Sequence, residues 1–368
     1  MALHRAAKLF ALVLCAASGR VLACPLVTTT ADDASVPPAG SLRECLTLAA
    51  LQPGKDVITF DPSVFNPGVI VLMDNLPSLN DSAGTVIDGS DASRVIIDGS
   101  GFAVGTGLRL RSNDNEVRNL TFRNFRGNGF AGNGAAISVS AGTSGNIIEG
   151  NRMLGGQGAG VYVDGSDGGN IVTKNHIASC AGHGIAFDNP LSTCGAMDLV
   201  TDNVIVDAGS VALGTDAVRV VGGACMKVTG NTMINSLGFG VKLTAASRIL
   251  VADNLIIGGQ RDGVGVLSGS ANNRFERNRL FDNTATGFSI GDFGSTGNLL
   301  VRNLIVRTRA GVSGNGFGAR IYAGADDTWL FHNTVVDSSR ASVAVVPGVL
   351  GFRIQNNLFY RSASWALE

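Results

Sequence analysis

The chain has 368 residues, among them 50 Gly and 9 Pro, with 45% hydrophobic and 15% charged residues and a net charge of −1. Gly stands at about twice its usual ~7% share and charge well under the ordinary ~25%; yet Gly has no period of three and apolar material is ample, which excludes collagen and low-complexity linkers. Lys+Arg at 28 against Asp+Glu at 29 creates no overall field for nucleic acid or an anionic membrane, so any charged function is local.

Residues 1–23 read as a secretion signal. His4, Arg5 and Lys8 form a positive start, Leu9 to Ala17 is a short apolar run, and Val21-Leu22-Ala23 supplies a small-residue cleavage pattern. The run is too short to cross a bilayer, and no later segment approaches ~20 uninterrupted apolar residues. The expected location is secreted, periplasmic or cell-surface. Val21-Leu22-Ala23-Cys24 also resembles a lipoprotein box, but Ser18-Gly19-Arg20 interrupts the apolar run and Pro25 follows directly. Export permits disulfides among the five remaining cysteines. Cys24 with Cys45 is the expected pair and Cys180 with Cys194 the next, leaving one thiol free. No Cys-x-x-Cys pair and only four His argue against structural zinc.

Residues 24–80 read as a cap and 81–368 as a repeat body. Ser41 and Glu44 form a capping box. Leu42, Cys45, Leu46 and Ala49 share one helix face, which Pro53-Gly54 ends. From Asn119 onward a short motif recurs with Asn in register, at Asn151, Asn175, Asn203, Asn231, Asn254, Asn278, Asn303, Asn333 and Asn357. A second Asn stands five positions earlier at Asn146, Asn170, Asn273 and Asn298. Short alternating runs such as Gly-Val-Tyr-Val-Asp suit strands of a few residues, separated by Gly and Asn turns. No such run buries its apolar face alone. Winding one coil on the next stacks equivalent strands ~4.8 Å apart and places the Asn side chains in a ladder. The expected fold is all-β: a right-handed single-stranded parallel β-helix of about ten coils with a short N-terminal helix. No comparable plug follows Asn357: either the chain is cut from something longer, or the last coil and Trp365 close that end less fully.

The Asn pattern with its Gly-Val/Ile strands resembles the right-handed parallel β-helix repeat of pectate-lyase-like proteins. The front, with Thr29-Thr30-Ala31-Asp32-Asp33, Gly40-Ser41-Leu42-Arg43-Glu44-Cys45 and Ile58-Thr59-Phe60-Asp61-Pro62, resembles a capping module of secreted bacterial proteins. The resemblance covers nearly all the mature chain and is specific for fold. It is weak for activity, because the family includes lyases, hydrolases, epimerases and adhesins.

In a stack the informative motif is a column of outward residues. One column reads Ser138, Tyr162, Ala186, Arg219, Lys242, Gly265, Ser289, Arg320 and Ala344. The next reads Ser140, Asp164, Asp188, Val221, Thr244, Leu267, Gly291, Tyr322 and Val346. The turn before the strands carries His183, Asp216 and Asp262. Charge concentrates on coils three to six, over about 15 Å. Elimination from an acidic polysaccharide needs a cation on the uronate carboxylate, a base for the adjacent proton and an acid for the leaving oxygen. Arg219 or Lys242 suits the first role, His183 or a lysine of lowered pKa the second and Tyr162 the third. Asp216, Asp262, Arg320 and Tyr322 are candidate substrate contacts. Stacked Asp164 and Asp188 are candidate Ca²⁺ ligands. Epimerisation at the same carbon uses the same parts. The partner is expected to be an acidic polysaccharide or cell-surface glycan. The alternative is a non-catalytic, adhesin-like or structural solenoid whose charged side chains are solvation and cross-strand pairing.

Gly182-His183-Gly184 is similar to a motif of the family's pectin hydrolases, but its companion motifs are missing. Phe187-Asp188-Asn189-Pro190 is similar to part of the alginate epimerase motif, without its Tyr and His. Asp32-Asp33 and Asp326-Asp327 read as loop acids, and His176 and His332 as corner residues. Gly127-Asn128-Gly129 lacks the helix and Lys of a phosphate loop.

Overall fold

The computed structural model describes residues 24–127, 132–210, 212–292, 294–311 and 315–368, so the signal at 1–23 lies outside the described residues. Three parallel sheets of 13, 12 and 10 strands share one interior, and successive strands visit them in turn. This is a right-handed parallel β-helix of about 12 turns. The expected ten was short because the count began at Asn119, and the earlier turns lack the repeat Asn. The first sheet starts at Leu26–Val27 and Asp56–Phe60, and the second at Gly68–Val71. Residues 24–80 and 81–368 therefore share the same sheets.

The register is strict. Ile58, Ile87, Val117, Ile148, Val172, Val200, Val228 and Val251 are successive Cα partners, one per turn, and all are buried. β-branched side chains suit this pleated interior, and each fully buried one contributes roughly 1.5–3 kcal/mol. At the front, α1 (Leu42–Ala49) starts from an Ser41 cap whose hydroxyl accepts the Glu44 N–H. Its Leu42, Cys45, Leu46 and Ala49 join the core beside Val27, Ile58 and Phe60. Asp32 is not a solvated loop acid. Its carboxylate takes two hydrogen bonds from Arg43 (2.7 and 2.8 Å), and both side chains are buried.

The predicted ladder forms along one corner. From Asn151 through Asn175, Asn203, Asn231, Asn254, Asn278, Asn303 and Asn333 to Asn357, each backbone N–H donates to the next turn's Asn Oδ1. Each Nδ2 also donates to a backbone carbonyl, as Asn231 does to Val200. Burial makes these bonds count, because an unmade one leaves a desolvated polar group. Asn119 departs from the predicted register: Leu120 donates to Asn151 in its place, while Asn119 sits at φ 59° and donates to Asp88. A second ladder runs through Asn115, Asn146 and Asn170 to Asp198, so Asp198 fills an Asn position.

The corner residue before each ladder Asn is left-handed, yet it is seldom Gly. Lys174, Asp202, Asp253, Arg277, Arg302, His332 and Asn356 all have φ between 53° and 58°. His332 is thus the corner residue expected, whereas His176 opens the strand His176–Cys180.

Cys24 pairs with Cys45 as expected. The second bond is Cys194–Cys225, not Cys180–Cys194. Cys180 lies on a strand with its side chain in the core, free and buried, out of reach of the surface loop carrying Cys194. At the far end, Ser342 and Val343 donate to the Trp365 and Ala366 carbonyls, but the Trp365 side chain is exposed and does not close the end. Among the described residues no helix is long and apolar enough to cross a membrane.

Replacing Asn231 by Ala strands the Asn203 amide and the Val200 carbonyl in a fully buried corner. At roughly 1–3 kcal/mol per stranded group, a loss of about 3 kcal/mol is expected. Asn119→Gly, off the ladder at a left-handed position, is expected to cost under about 1 kcal/mol. Urea midpoints of the two variants check this; equal losses would mean the ladder is not the source.

Candidate functional site

The site sits on the third sheet, whose strands Val161–Asp164, Ile185–Asp188, Val218–Val221 and Val241–Thr244 follow one another. Cα partners run Ser138, Tyr162, Ala186, Arg219, Lys242, Gly265, Ser289, Arg320 and Ala344, the predicted outward column. Asp164 and Asp188 are partners in the second column. The small Ala186 between Tyr162 and Arg219 lets the Tyr162 hydroxyl reach over it and donate to Asp188 Oδ2 at 3.0 Å. Burial, with Asp188 beside it, raises the Tyr162 pKa, so the phenol keeps its proton at any working pH.

His183 and Asp216 hold equivalent positions two residues before their strands, and both are almost wholly buried (2% and 1% exposed). Each accepts a backbone N–H from the next turn: His183 Nδ1 from Asp216 at 2.9 Å, and Asp216 Oδ1 from Phe239 at 3.0 Å. Asp262, in the same column, accepts from Thr286 at 2.8 Å. Burial foremost, then Arg219 and Lys242, pushes the His183 pKa down to about 3. A neutral ring that accepts at Nδ1 carries its proton on Nε2. That Nε2 lies 3.0 Å from Arg219 Nη1, so two donors face each other. With Nδ1 accepting and Nε2 protonated, His183 has no spare lone pair for the base role expected of it. It accepts the next turn's N–H, and its ring edge lies against Arg219.

Burial likewise raises the Asp216 pKa, with Lys242 opposing, and burial raises that of Asp262. The remaining charged contacts are long: Arg219 Nε to Asp188 Oδ1 3.8 Å, Lys242 Nζ to Asp216 Oδ2 4.0 Å, and His183 Nδ1 to Asp216 Oδ2 3.8 Å. Consequently Asp188 Oδ1, Asp216 Oδ2 and Arg219 Nε are buried without a hydrogen-bond partner among the described residues.

Phe239 was not foreseen. It follows Asp216 in the turn column, its ring lies 5.3 Å from Lys242 Nζ and 5.5 Å from the Arg261 guanidinium, and Gly265 leaves room for it. The signal was its place in that column, which only the acids and His183 had drawn attention to.

Arg320 and Tyr322 lie elsewhere on the face, three turns or ~14 Å beyond Lys242. There Arg320 stacks 4.6 Å from the Tyr322 ring and donates to Asn315. Asp262 is one turn past Lys242 but bonded to its own ladder. For Ca²⁺ the fit is poor: Asp188 already accepts from Tyr162 and faces Arg219, leaving an exposed Asp164 against the 6–8 oxygens calcium takes. Among the described residues no group of three or more His, Cys, Asp or Glu is placed to hold a metal.

A pH prediction follows from His183. Its folded pKa lies below its unfolded value, so the unfolded chain binds the extra proton first, and stability falls as pH drops from about 6.5 toward 3. Each unit corresponds to roughly 1.4 kcal/mol, which puts the total at a few kcal/mol. The raised Asp216 works in the opposite sense, because it gains its proton in the folded state. His183→Asn is expected to flatten the pH dependence of the urea midpoint across this window, and an unchanged slope would refute the assignment.

The solved structures similar to this chain agree on the architecture. DFA-IIIase from Arthrobacter chlorophenolicus A6 in complex with DFA-III matches with a TM-score of 0.60 and 15% identity over 91% of this chain and 94% of that one. A PL6 alginate lyase in complex with a trisaccharide gives 0.58 and 13% over 92% and 86%. PfbA, a surface adhesin of Streptococcus pneumoniae, gives 0.56 and 11% over 89% of each. At these identities the likeness is one of fold alone. No curated protein sequence matches the chain significantly. The model of the right handed beta helix region matches residues 74–213 and 191–313, and the chain belongs to that family.

Proposed function

We propose that this protein binds an acidic polysaccharide along the third-sheet face, with Arg219 and Lys242 receiving a uronate carboxylate. The observation that carries the reading is the state of Arg219. One guanidinium nitrogen faces a proton-bearing imidazole nitrogen, and Nε stands 3.8 Å from Asp188 with no hydrogen bond. Arg219 and Lys242 are adjacent in the column and keep 27% and 22% of their side chains exposed, so a carboxylate between them meets charge that no hydrogen-bonded ion pair has taken up; charge-assisted bonds of this kind are the strong ones. Along the column the half-buried Ser138 is the small residue left open, while Ala186 and Gly265 lie under the Tyr162 and Phe239 rings.

A second reading is that the bound uronate is also modified by elimination or epimerisation, and the Tyr162–Asp188 pair favours it. Tyr162 holds its proton beside a carboxylate, one turn from Ala186 and two from Arg219. It therefore lies within a sugar's length of the cations that would acidify the proton next to the carboxylate. The buried, lone-pair-occupied His183 favours binding without turnover. The PL6 alginate lyase and the PfbA adhesin, both of the same architecture, represent the two outcomes. A disulfide-bonded chain with a signal-like start fits a secreted, periplasmic or cell-surface setting.

Purified protein is titrated with pectate, alginate and glycosaminoglycans, with and without Ca²⁺. Unsaturated uronate is followed near about 235 nm, and proton exchange at the uronate carbon in heavy water. Binding that Arg219→Ala weakens by about tenfold or more, without turnover, supports the first reading. Absorbance or exchange lost in Tyr162→Phe, with binding retained, supports the second. No binding to any of them overturns both.

A further inference from the structure

We infer that a cleft two to four turns before Arg219 is a separate seat for one uronic acid unit, so that the face takes an acidic oligosaccharide in a set register. This rests on the reading of Arg219 and Lys242 given above. The cleft, about 230 Å³, is lined by Arg109, Arg111, Ser138, Ser140, Tyr162 and Asp164 among others. Drug-sized sites begin near ~300 Å³, so this one suits a single ring.

Register connects it to the site. Arg109 is the Cα partner of Ser138, which partners Tyr162, then Ala186, then Arg219. Four turns separate the two arginines, or ~19 Å. Arg111 stands two residues along the same strand direction, so both cations are offered outward ~7 Å apart. Neither has a carboxylate within the 4.0 Å of an ion pair among the described residues, and the undescribed residues contain no Asp or Glu. Arg109 is held by a 3.5 Å contact to Asn75 Oδ1.

The opposite wall carries other chemistry. Asp164 is exposed, and the Tyr162 ring lies against Gly132, where an added Cβ would stand 2.8 Å from it. Thr106 fixes Gly132 by donating to its carbonyl at 3.0 Å. The cleft thus has cations on one side and a carboxylate on the other. A plain polyanion, such as a sulfate cluster or a phosphate backbone, gains from Arg109 and Arg111 but is repelled by Asp164. A uronic acid unit suits both walls, with its carboxylate on the arginines and its hydroxyls donating to Asp164.

Calorimetric titration with oligogalacturonates and oligomannuronates, each as disaccharide and hexasaccharide, tests the seat. For the unaltered protein the hexasaccharide that binds is expected to be at least about tenfold tighter than its disaccharide, because a second site is engaged intramolecularly. Arg109→Ala with Arg111→Ala should remove that advantage and leave the disaccharide affinity unchanged. Asp164→Asn should weaken the hexasaccharide. An unchanged hexasaccharide affinity in the double variant overturns the inference, as does an equal loss for the disaccharide, which would mean a general field. A tighter hexasaccharide in Asp164→Asn overturns the sugar assignment in favour of a plain anion seat. Arg219→Ala serves as the separate control: if it leaves the disaccharide unaffected, the reading at Arg219 fails, whatever the cleft does.

Discussion

Parallel, in-register pairing between consecutive turns is the constraint on which the rest of this molecule depends. Each strand contributes only a few residues and cannot hold together alone, but pairing on both sides satisfies its backbone and stacks its inward side chains on like neighbours. The same pairing places outward residues from sequence positions 23 to 33 apart within one coil step. Arg219 and Lys242 become neighbours in this way, and Tyr162 comes within reach of Asp188. Chemistry on this protein is therefore assembled along columns, not within loops.

The turn column shows how closely support and function are joined. His183, Asp216 and Asp262 accept the backbone N–H of the following turn, much as the Asn ladder does at the opposite corner. An Asn would serve that bond with less desolvation cost. At His183 and Asp216 the surplus atoms instead point at Arg219 and Lys242, at 3.0 and 4.0 Å. The lowered His183 pKa keeps the ring neutral, which spares Arg219 a second positive neighbour. Asp216 beneath Lys242 offsets its charge without reaching hydrogen-bond distance, so the ammonium stays available to a ligand.

Much of this was legible beforehand, because a solenoid converts period directly into position. The spacing of the Asn residues located the ladder, and alignment of the Gly-Val strands placed Tyr162, Arg219 and Lys242 in one column with the correct neighbours. Three things were not legible, for different reasons. Depth was missed: His183 and Asp216 precede their strands, and nothing in an alternating pattern says whether a turn side chain folds under the sheet or over it. Disulfide choice was missed, since Cys180 is an inward strand residue and Cys194 a loop residue, a difference of facing that spacing does not encode. The early turns were undercounted, because their corners use Asn115, Leu120 and other residues in place of the repeat Asn.

The distribution of charge follows from the same constraint. Elsewhere on the solenoid, opposite charges one turn apart neutralise each other: Arg277 with Asp253, Arg307 with Asp282, and Arg361 with Asp337 all lie at 2.6 to 2.8 Å. Exposed pairs of this kind add little stability, but they show that a turn-to-turn neighbour is near enough for a hydrogen-bonded ion pair whenever the side chains are allowed to meet. Around Arg219 and Lys242 they do not meet; the shortest carboxylate distances are 3.8 and 4.0 Å. The His183 ring edge lies against one cation, Tyr162 occupies one Asp188 oxygen, and the Phe239 ring lies beside the other cation. The pairing that Asp253, Asp282 and Asp337 complete with the next turn's arginine is left incomplete here, as it is at Arg109 and Arg111.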